Sequence, residues 1–519
     1  MLRSIATVGG WTMASRVLGF VRDILIARLL GAGVEADAFF VAFRLPNLFR
    51  RLFAEGAFNA AFVPLYARAL TERGIVLANR FAEETMALMV AALIGLTLLA
   101  QLAMPWLMAL IAPGFTREPS KYALAVQFTR ITFPYLVFIA LAALYAGVLN
   151  AHRRFAHAAA VPVLLNLVMI AGLLLVAPWS GRPGLVLAWS VALAGIVQFL
   201  WLVPAAAASD AKLHLPSRLV LTPELRRLLK LMVPGVIGSG AMQINLMIGT
   251  MIASLAPGAV SYLYYADRIY QLPLGVIGSA IGVVLLPEIS RSLRSGETAT
   301  ANDHLNRGIE LALLLTLPAA VALILIPKEI VGVLFEHGAF GPEARQATAA
   351  GLAAFASGLP AYVLIKVLKP AFYAREDTAT PFYYGVAAVI ANTVLGLLLF
   401  ALLGFVGIAI ATSLAAWLNL ALLWWRLDRS GFLETDDRLR QKGRRILLSS
   451  IVMGVGLFLA ARALSGAWTA APIWRITGLS ALVGGGAALY FALVLFAGAL
   501  EPSPLRALIR RSLRRASTP

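Results

Sequence analysis

The sequence predicts an all-α polytopic membrane protein of about fourteen transmembrane helices, and three observations lead to this fold class. Hydrophobic residues make up 60% of the 519 positions and charged residues only 13%, whereas a soluble chain is about 25% charged. Apolar stretches of about 20 residues, long enough to cross a hydrocarbon core, recur along almost the whole chain. They lack the polar–apolar alternation of barrel strands, so helices must satisfy the backbone in lipid.

The apolar stretches place the spans in order along the chain. Each stretch begins and ends where polar or charged residues interrupt the hydrophobic run. A turn around Gly404 and Gly407 separates the eleventh span from the twelfth. Spans are predicted near residues 5–30, 36–66, 84–112, 122–149, 158–178, 183–205, 233–254, 260–290, 309–333, 346–373, 383–403, 404–427, 444–463 and 473–499.

The basic residues indicate the orientation of the chain. The formal net charge of +19 is typical either of a nucleic-acid-binding protein or of a membrane protein with basic cytoplasmic loops. Roughly 27 Lys and Arg residues fall in the termini and the even-numbered loops, against about 7 in the odd-numbered loops. This asymmetry predicts that both termini are cytoplasmic, and it explains the charge without nucleic acid. The richest basic segments are residues 212–230, 426–445 and 506–515.

Similar segments recur about 223 residues apart, which predicts an internal duplication. PLYARAL at residues 64–70 resembles PEISRSL at 287–293, and LNA at 149–151 matches FYA at 372–374. Six spans per half make the repeats parallel, and such transporters bind cargo between halves that rock against each other. The predicted domains are an N-terminal six-helix half (1–210), an amphipathic cytoplasmic linker with an interfacial helix near 222–230 (211–232), a C-terminal six-helix half (233–430), and two extra helices with a basic cytoplasmic tail (431–519).

Several ionisable residues fall inside predicted spans, where each costs about 2.5–3.5 kcal/mol at mid-membrane. On a helical wheel the first span has one polar arc, and apolar residues lie opposite. The polar arc contains Thr12, Ser15, Arg16, Gly19, Arg22 and Asp23. For Arg28, Arg130 and Lys369, close to span ends, salt bridging or snorkelling is the simpler interpretation, and Arg44 fits either interpretation. A binding function is favoured for Arg16, Arg22, Arg50, Arg51 and Arg268, with Ser15 beside them.

Excess buried positive charge requires an anion. The planar guanidinium of arginine donates two parallel hydrogen bonds to a phosphate, so the favoured arginines predict a central cationic cavity for a phosphate-bearing cargo. Pro46 interrupts the second span, and either Arg50 or Arg51 can therefore take the inward position. The carboxylates are predicted to form gate pairs with arginines rather than to bind cargo, and they are Asp23, Asp37, Glu55 and Asp267.

Motifs for covalent chemistry are absent from the sequence. It contains no GxxxxGK[ST] phosphate loop and no HExxH zinc motif, and the lack of cysteine excludes disulfides and thiolate sites. The expected activity is transport without a cofactor or metal, driven by the membrane potential or by an ion gradient. Asn166 and Asn392 are expected to make interhelical hydrogen bonds. Two rivals are a lipid-pyrophosphate enzyme, for which no carboxylate or histidine constellation is found, and a non-transporting scaffold.

Five longer motifs add a family resemblance. They are SRVLGFVRD at residues 15–23, ADAFFVAFRLPN at 36–47, FRRLFAEGAF at 49–58, YYADR at 264–268 and FYAR at 372–375. Together they resemble the MurJ (MviN) family of the MOP exporter superfamily. The resemblance runs from the first span to at least the twelfth, whereas the last two helices match by position and apolar character.

The resemblance implies a transporter of the bacterial inner membrane whose cargo is lipid II, the undecaprenyl-pyrophosphate-linked peptidoglycan precursor. It implies cavity arginines at Arg16, Arg22, Arg50 and Arg268 with Arg51 beside them, and an outward-side gate at Asp23, Asp37 and Glu55. The last two helices would hold the polyprenyl tail. Membrane lipids and the cell-wall synthesis machinery are the other expected partners. The alternative is an exporter of another lipid-linked oligosaccharide or of a drug, although a cationic cavity disfavours a cationic drug.

Overall fold

The computed structural model describes residues 2–53, 57–214, 220–469 and 471–500, with side chains described except at 2–6, 49, 52–53, 57, 236–239, 241–242, 279–284 and 469. The chain forms two compact units. The first comprises Met1–Tyr264 and Phe335–Ala344, and the second comprises Tyr265–Leu334 and Arg345–Pro519. The predicted basic tail at 506–515 lies outside the described residues.

The first unit is built from helices and short connectors. A 3₁₀ turn at Pro113–Arg117 follows the fourth helix, and a π-helical turn at Gly172–Val176 follows the seventh. Its helices are α1 (Leu2–Leu30), α2 (Val34–Phe53), α3 (Ala57–Arg73), α4 (Ile75–Ile111), α5 (Pro119–Thr132), α6 (Tyr135–Ala151), α7 (Phe155–Ala171), α8 (Ala177–Ser180), α9 (Pro183–Ala207) and α10 (Pro223–Ala253).

The second unit is also helical in its described residues. Its first helix, α11, begins within the range of the first unit and continues into the second. The helices are α11 (Ala259–Arg294), α12 (Thr298–Leu325), α13 (Pro327–Phe335), α14 (Pro342–Ala356), α15 (Leu359–Tyr373), α16 (Ala379–Leu403), α17 (Phe405–Arg429), α18 (Asp437–Ala463), α19 (Ser465–Thr469) and α20 (Pro472–Phe496).

The all-α, multi-pass membrane fold is confirmed. Ten helical segments within the described residues are long and apolar enough to cross a membrane. They coincide with ten of the predicted spans. The other four predicted spans fall on α1, on α2 with α3, on α10 and on α11. Three of these spans contain the arginines and carboxylates singled out above, and charged side chains lower the hydropathy of a span.

One predicted boundary is wrong in the structure. The sequence predicts an interfacial helix near 222–230 that is separate from the span at 233–254, whereas α10 runs without interruption from Pro223 to Ala253. Pro234 lies inside this helix. A proline removes one backbone hydrogen bond, but a membrane helix tolerates that loss where its neighbours satisfy the freed carbonyl.

The backbone carries the internal repeat. Left-handed residues recur at matching positions, as Gly74 (φ 80°) and Gly296 (φ 79°), Gly181 and Gly404 (both φ 62°), and Arg153 (φ 60°) and Glu376 (φ 62°). The last two close the same helix-ending motif, in which the Arg154 amide donates to the Leu149 carbonyl and the Asp377 amide to the Phe372 carbonyl. Left-handed non-glycine residues are uncommon, so their recurrence supports a duplication. The domain boundaries given above stay a prediction.

A polar cluster joins α12 to the start of α18 within the second unit. Arg307 pairs with Glu310 and with Asp436, and the Lys442 ammonium lies 3.0 Å from a Glu310 oxygen. Asp436 also caps α18, because its side chain accepts a hydrogen bond from the Leu439 amide at 2.6 Å. The first of the two extra C-terminal helices is therefore anchored to α12 by charge as well as by apolar packing.

A hydrogen-bonded chain at the predicted cytoplasmic end of the first unit connects four segments. The Tyr66 hydroxyl donates to Asn79 Oδ1 at 3.0 Å and lies 3.2 Å from His152 Nε2. Asn79 in turn donates to the Asp210 carbonyl at 3.1 Å. Since the Tyr66 hydrogen is already used, His152 must donate from Nε2. Burial, reinforced by the charge of Arg154, lowers the pKa of His152 below its ordinary 6.5.

This pKa shift predicts a pH-dependent stability. The unfolded chain binds a proton at His152 more readily than the folded one, so stability is present above the unfolded pKa and is lost as the pH falls through it. Gln at this position keeps an Nε2 donor but does not titrate. Between pH 7.5 and pH 5.5, roughly one pH unit either side of that pKa, the thermal unfolding temperature should fall less for His152→Gln than for wild type. Tryptophan fluorescence in detergent measures both proteins, and equal pH dependence would contradict the prediction.

Candidate functional site

Arg22 and Asp23 form a buried ion pair on α1. Their side chains are 7% and 2% exposed, and the Arg22 Nη2 atom lies 2.7 Å from Asp23 Oδ1. Arg22 Nε donates to the same oxygen at 3.0 Å. The sequence predicts a cargo-binding role for Arg22 and a gate role for Asp23. The structure brings them together, so the charge of Arg22 is compensated, as a buried arginine in an apolar environment requires.

Asn166 on α7 holds this pair in place. Its side-chain oxygen accepts from Arg22 Nη1 at 3.0 Å, and its amide donates to the Ser15 carbonyl at 2.9 Å. The Tyr264 hydroxyl donates to Asp23 Oδ1 at 3.2 Å, and the Tyr264 ring stacks on Phe40 with 3.8 Å between centroids. The part of the predicted polar arc that contains Ser15, Arg22 and Asp23 therefore faces polar partners of the first unit.

The remaining predicted arginines of the first unit are more accessible. Arg16 is exposed and has no hydrogen bond or ion pair to any part of the chain that the structure describes. Arg50 and Arg51 are both half-exposed on α2, and Arg50 Nε donates to Asn47 at 3.3 Å. Glu55 lies outside the described residues. Arg16 can thus accept an anion without giving up a protein contact, whereas Arg22 must first exchange its interaction with Asp23.

Asp37 lies in a separate buried pocket. Its side chain is fully buried and lies 2.7 Å from the ammonium of Lys121 on α5, which is 2% exposed. The carboxylate also accepts from the Gly258 amide at 3.0 Å, and from the amide and hydroxyl of Ser261 at 2.8 and 2.6 Å. The Lys121 ammonium lies 4.4 Å from the centre of the Phe115 ring. Asp37 pairs with a lysine rather than with an arginine.

The predicted residues of the second unit lie on α11. Asp267 accepts a hydrogen bond from Gln271 one turn further along the helix. Arg268 is half-buried, between the buried residues Ala266 and Ile269. The neighbouring Tyr270 is held by aromatic contacts with Phe355 and Tyr362. These contacts give the charged stretch of α11 a rigid support.

A cleft of about 390 Å³ lies elsewhere in the first unit, among α3, α4 and the start of α10. Its rim carries paired charges, including Arg73 with Glu224 at 2.8 Å, and the hydrogen bond from Arg73 lowers the pKa of Glu224. None of the predicted site residues lines it. Within the described residues, no group of three or more His, Cys, Asp or Glu side chains is placed to hold a metal ion.

Comparisons with known proteins place this geometry in a family. The family model described as lipid II flippase MurJ matches residues 26–476. The chain belongs to this family. A protein of Rhizobium tropici named probable lipid II flippase MurJ is 44% identical, and the alignment covers 99% of this chain and 97% of the relative. A protein of Burkholderia cenocepacia named lipid II flippase MurJ is 35% identical over 95% of this chain and 97% of the relative.

Solved structures agree with the family. A lipid II flippase MurJ in an inward closed conformation superposes with a TM-score of 0.79 at 26% identity, covering 97% of this chain and 99% of that one. An inward-facing multidrug resistance MATE family transporter of the MOP superfamily superposes with a TM-score of 0.64 at 16% identity, over 80% and 95% of the chains. The second likeness concerns the fold alone.

Sequence reasoning missed three residues of this MurJ family member. Lys121 compensates Asp37, Asn166 orients Arg22, and Tyr264 bonds to Asp23. Asn166 was expected to make an interhelical hydrogen bond, which is confirmed, but its arginine partner was not foreseen. The signal for Lys121 was its place among the few basic residues of the odd-numbered loops. Tyr264 had no signal beyond the YYADR motif.

The Asn166 contacts lead to a stability prediction. Asn166→Leu removes the acceptor of Arg22 Nη1 and the donor to Ser15, and leaves a buried guanidinium hydrogen without a partner. We expect the free energy of unfolding to fall by about 1–3 kcal/mol. Thermal unfolding in detergent measures it. Asn166→Gln, which keeps both an acceptor for Arg22 and an amide donor and adds no charge, is the matched variant and should lose less. A Leu variant as stable as wild type would show that Asn166 does not support the ion pair.

Proposed function

We propose that the protein is a lipid II flippase, which carries the undecaprenyl-pyrophosphate-linked peptidoglycan precursor from the cytoplasmic to the periplasmic leaflet by alternating access. Family membership over nearly the whole length of the chain is the observation that carries the proposal. The alignments with two relatives whose names include lipid II flippase cover 97% of the length of each relative. The proposal therefore concerns the whole protein rather than one domain.

The arginines on α1 support an anionic cargo. Arg16 is exposed and without a partner within the described residues, so it can meet a pyrophosphate first. Arg22 is held by Asp23 at 2.7 Å, and cargo phosphate would compete with that carboxylate for the same guanidinium. Both ligands suit the two-pronged geometry of arginine. Binding would then exchange one anion for another at Arg22, and the released Asp23 carboxylate, which also accepts from the Tyr264 hydroxyl at 3.2 Å, would need a new partner.

The cycle needs no covalent step, so the protein is proposed to act as a transporter and not as an enzyme, without a cofactor. In the first unit, Arg16, Arg22, Arg50, Arg51 and Ser15 are proposed to bind the cargo, and Arg268 of the second unit is proposed to do the same. The basic even-numbered loops favour cytoplasmic termini in a bacterial inner membrane. The helices α18 and α20 are proposed to hold the polyprenyl tail, with membrane lipids around them and the cell-wall synthesis machinery as possible partners.

Complementation of a conditional lipid II flippase depletion tests the cargo and the site together. Wild type should restore growth. Arg22→Ala and Arg268→Ala should fail at equal expression, because each removes a guanidinium proposed to bind pyrophosphate. Arg28→Ala is a matched control at an exposed arginine near a span end, and it should restore growth.

The outcomes separate the parts of the proposal. Growth with every variant would keep the cargo and discard the site. Failure of well-expressed, correctly inserted wild type would indicate another cargo in the same fold, such as a different lipid-linked oligosaccharide or a drug.

Membrane potential is proposed to reset the empty carrier. Moving one charge through 100 mV is worth about 2.3 kcal/mol, so a cationic binding surface returning to the negative side gains from the potential. In vesicles that contain the purified protein and fluorescent lipid II, dissipating the potential should slow flipping several-fold. An unchanged flipping rate would refute the coupling to membrane potential and would leave the proposed cargo unaffected.

A further inference from the structure

Four connectors meet on the predicted non-cytoplasmic side of the first unit. They follow α1, α4, α10 and α13, and all of them lie in odd-numbered loops. The Gly114 amide donates to the Ser254 hydroxyl at 3.1 Å. The Ala339 amide donates to the Arg28 carbonyl at 2.9 Å. The C-terminal ends of α10 and α1 thus each bind the backbone of a connector that belongs to the other sequence repeat.

These two contacts involve corresponding segments of the two repeats. Gly31 and Ser254 are 223 positions apart, and Gly114 and Gly338 are 224 apart. Each contact is too close for a side chain on its glycine. A Cβ atom on Gly114 would lie 2.0 Å from the Ser254 carbonyl oxygen, and one on Gly31 would lie 2.4 Å from the Ala339 carbonyl oxygen. The backbones therefore touch directly, and water is excluded between them.

The third contact has one charged member. Asp37 and Ser261 are 224 positions apart and hydrogen-bond to each other, so equivalent positions of the two repeats meet. Asp37 pairs with Lys121, whereas the equivalent of Asp37 in the second repeat is the uncharged Ser261. The ion pair is thus a single, one-sided element within a pair of matching backbone contacts.

The Asp37 carboxylate depends on Lys121 for its charge balance. Its other donors, the Gly258 amide and the amide and hydroxyl of Ser261, are neutral. Removal of one partner of a buried ion pair leaves an uncompensated charge and is strongly unfavourable, whereas replacement of both partners is often nearly neutral. Protonation or hydration relieves a stranded carboxylate, and hydration here requires the connectors to separate.

We infer that Lys121 is a positioning residue for transport, whose ammonium keeps the Asp37 carboxylate bonded to the α10–α11 turn and so keeps the non-cytoplasmic side closed between transport events. The inference rests on the proposed function for its role in the cycle. Lys121 itself is buried against Asp37 and Phe115 and is not assigned any contact with cargo. Its removal should raise the population of a state open on that side.

The lack of cysteine in the chain allows a direct test. Ser254→Cys places a thiol at a position that is 4% exposed in the closed contact. A membrane-impermeant maleimide is added outside intact cells, and the rate of labelling is measured. Lys121→Met should raise that rate about ten-fold or more relative to the Ser254→Cys background, since the population of the open state rises. In the Asp37→Asn/Lys121→Met double variant the rate should return close to background.

Control variants distinguish opening of this contact from misfolding of the protein and from a wrong orientation in the membrane. Gly33→Cys is exposed, with open space at its Cβ position, and should label fast in every background. Lys328→Met makes the same chemical change at an exposed lysine and should leave the Ser254→Cys rate unchanged. Lys121→Arg keeps the charge and should label near background. Each variant is checked for a monodisperse size-exclusion profile.

Two results would overturn the inference. One is a Lys121→Met rate equal to background while Gly33→Cys labels fast. The other is a double variant that labels as fast as Lys121→Met alone, because the lysine would then not act through Asp37. If Lys121→Met fails to fold, labelling is measured in the double variant instead. Labelling near background in the double variant supports the inference, and fast labelling contradicts it. The assay needs no cargo, so its failure is distinct from failure of complementation.

Discussion

Compensation of charge inside an apolar environment is the constraint on which the rest of the structure depends. An ion in hydrocarbon is unfavourable unless a partner of opposite sign and further hydrogen bonds surround it. In the first unit, two sites among the described residues meet this demand. Arg22 has Asp23 and Asn166, and Asp37 has Lys121 together with the donors of Gly258 and Ser261. Arg16 meets it differently, since it stays exposed.

The two ion pairs have different consequences. Arg22 and Asp23 are neighbours on one helix, so their bond survives any rigid motion of α1. Asp37 on α2 binds Lys121 on α5 and the turn before α11, and helix movement can separate those partners. The first pair therefore suits a binding surface that must keep its charge balanced throughout a cycle. The second suits a contact that forms in one conformation and breaks in another.

The duplication explains how one backbone arrangement can carry two contacts that differ in charge. The repeated left-handed caps and the matching close contacts of Gly31 and Gly114 show that both repeats have the same connector geometry. The position of Asp37, which pairs with Lys121, is occupied in the second repeat by the uncharged Ser261. A symmetric backbone with an asymmetric charge can thus combine a closely packed closed state with an adjustable free energy of opening.

Local physics made much of the fold predictable from the sequence. Hydropathy over about 20 residues sets the helices, as in α4, α16 and α17, and the repeat is visible in short motifs. The same reasoning misplaced the start of the α10 span, because a proline at 234 resembles a helix boundary but is tolerated inside a membrane helix. It also found Arg22 and Asp37 as intramembrane charges that need partners.

Tertiary structure alone decided which partners they have. Lys121 lies 84 residues from Asp37, and Asn166 lies 144 residues from Arg22. Hydropathy and helical periodicity describe one helix at a time, whereas a charge is compensated by whichever helix packs beside it. The sequence by itself therefore determined that this is a helical membrane protein with buried charges in its first two spans. Packing decided that Arg22 is held by Asp23 and Asn166, and that Asp37 is held by Lys121.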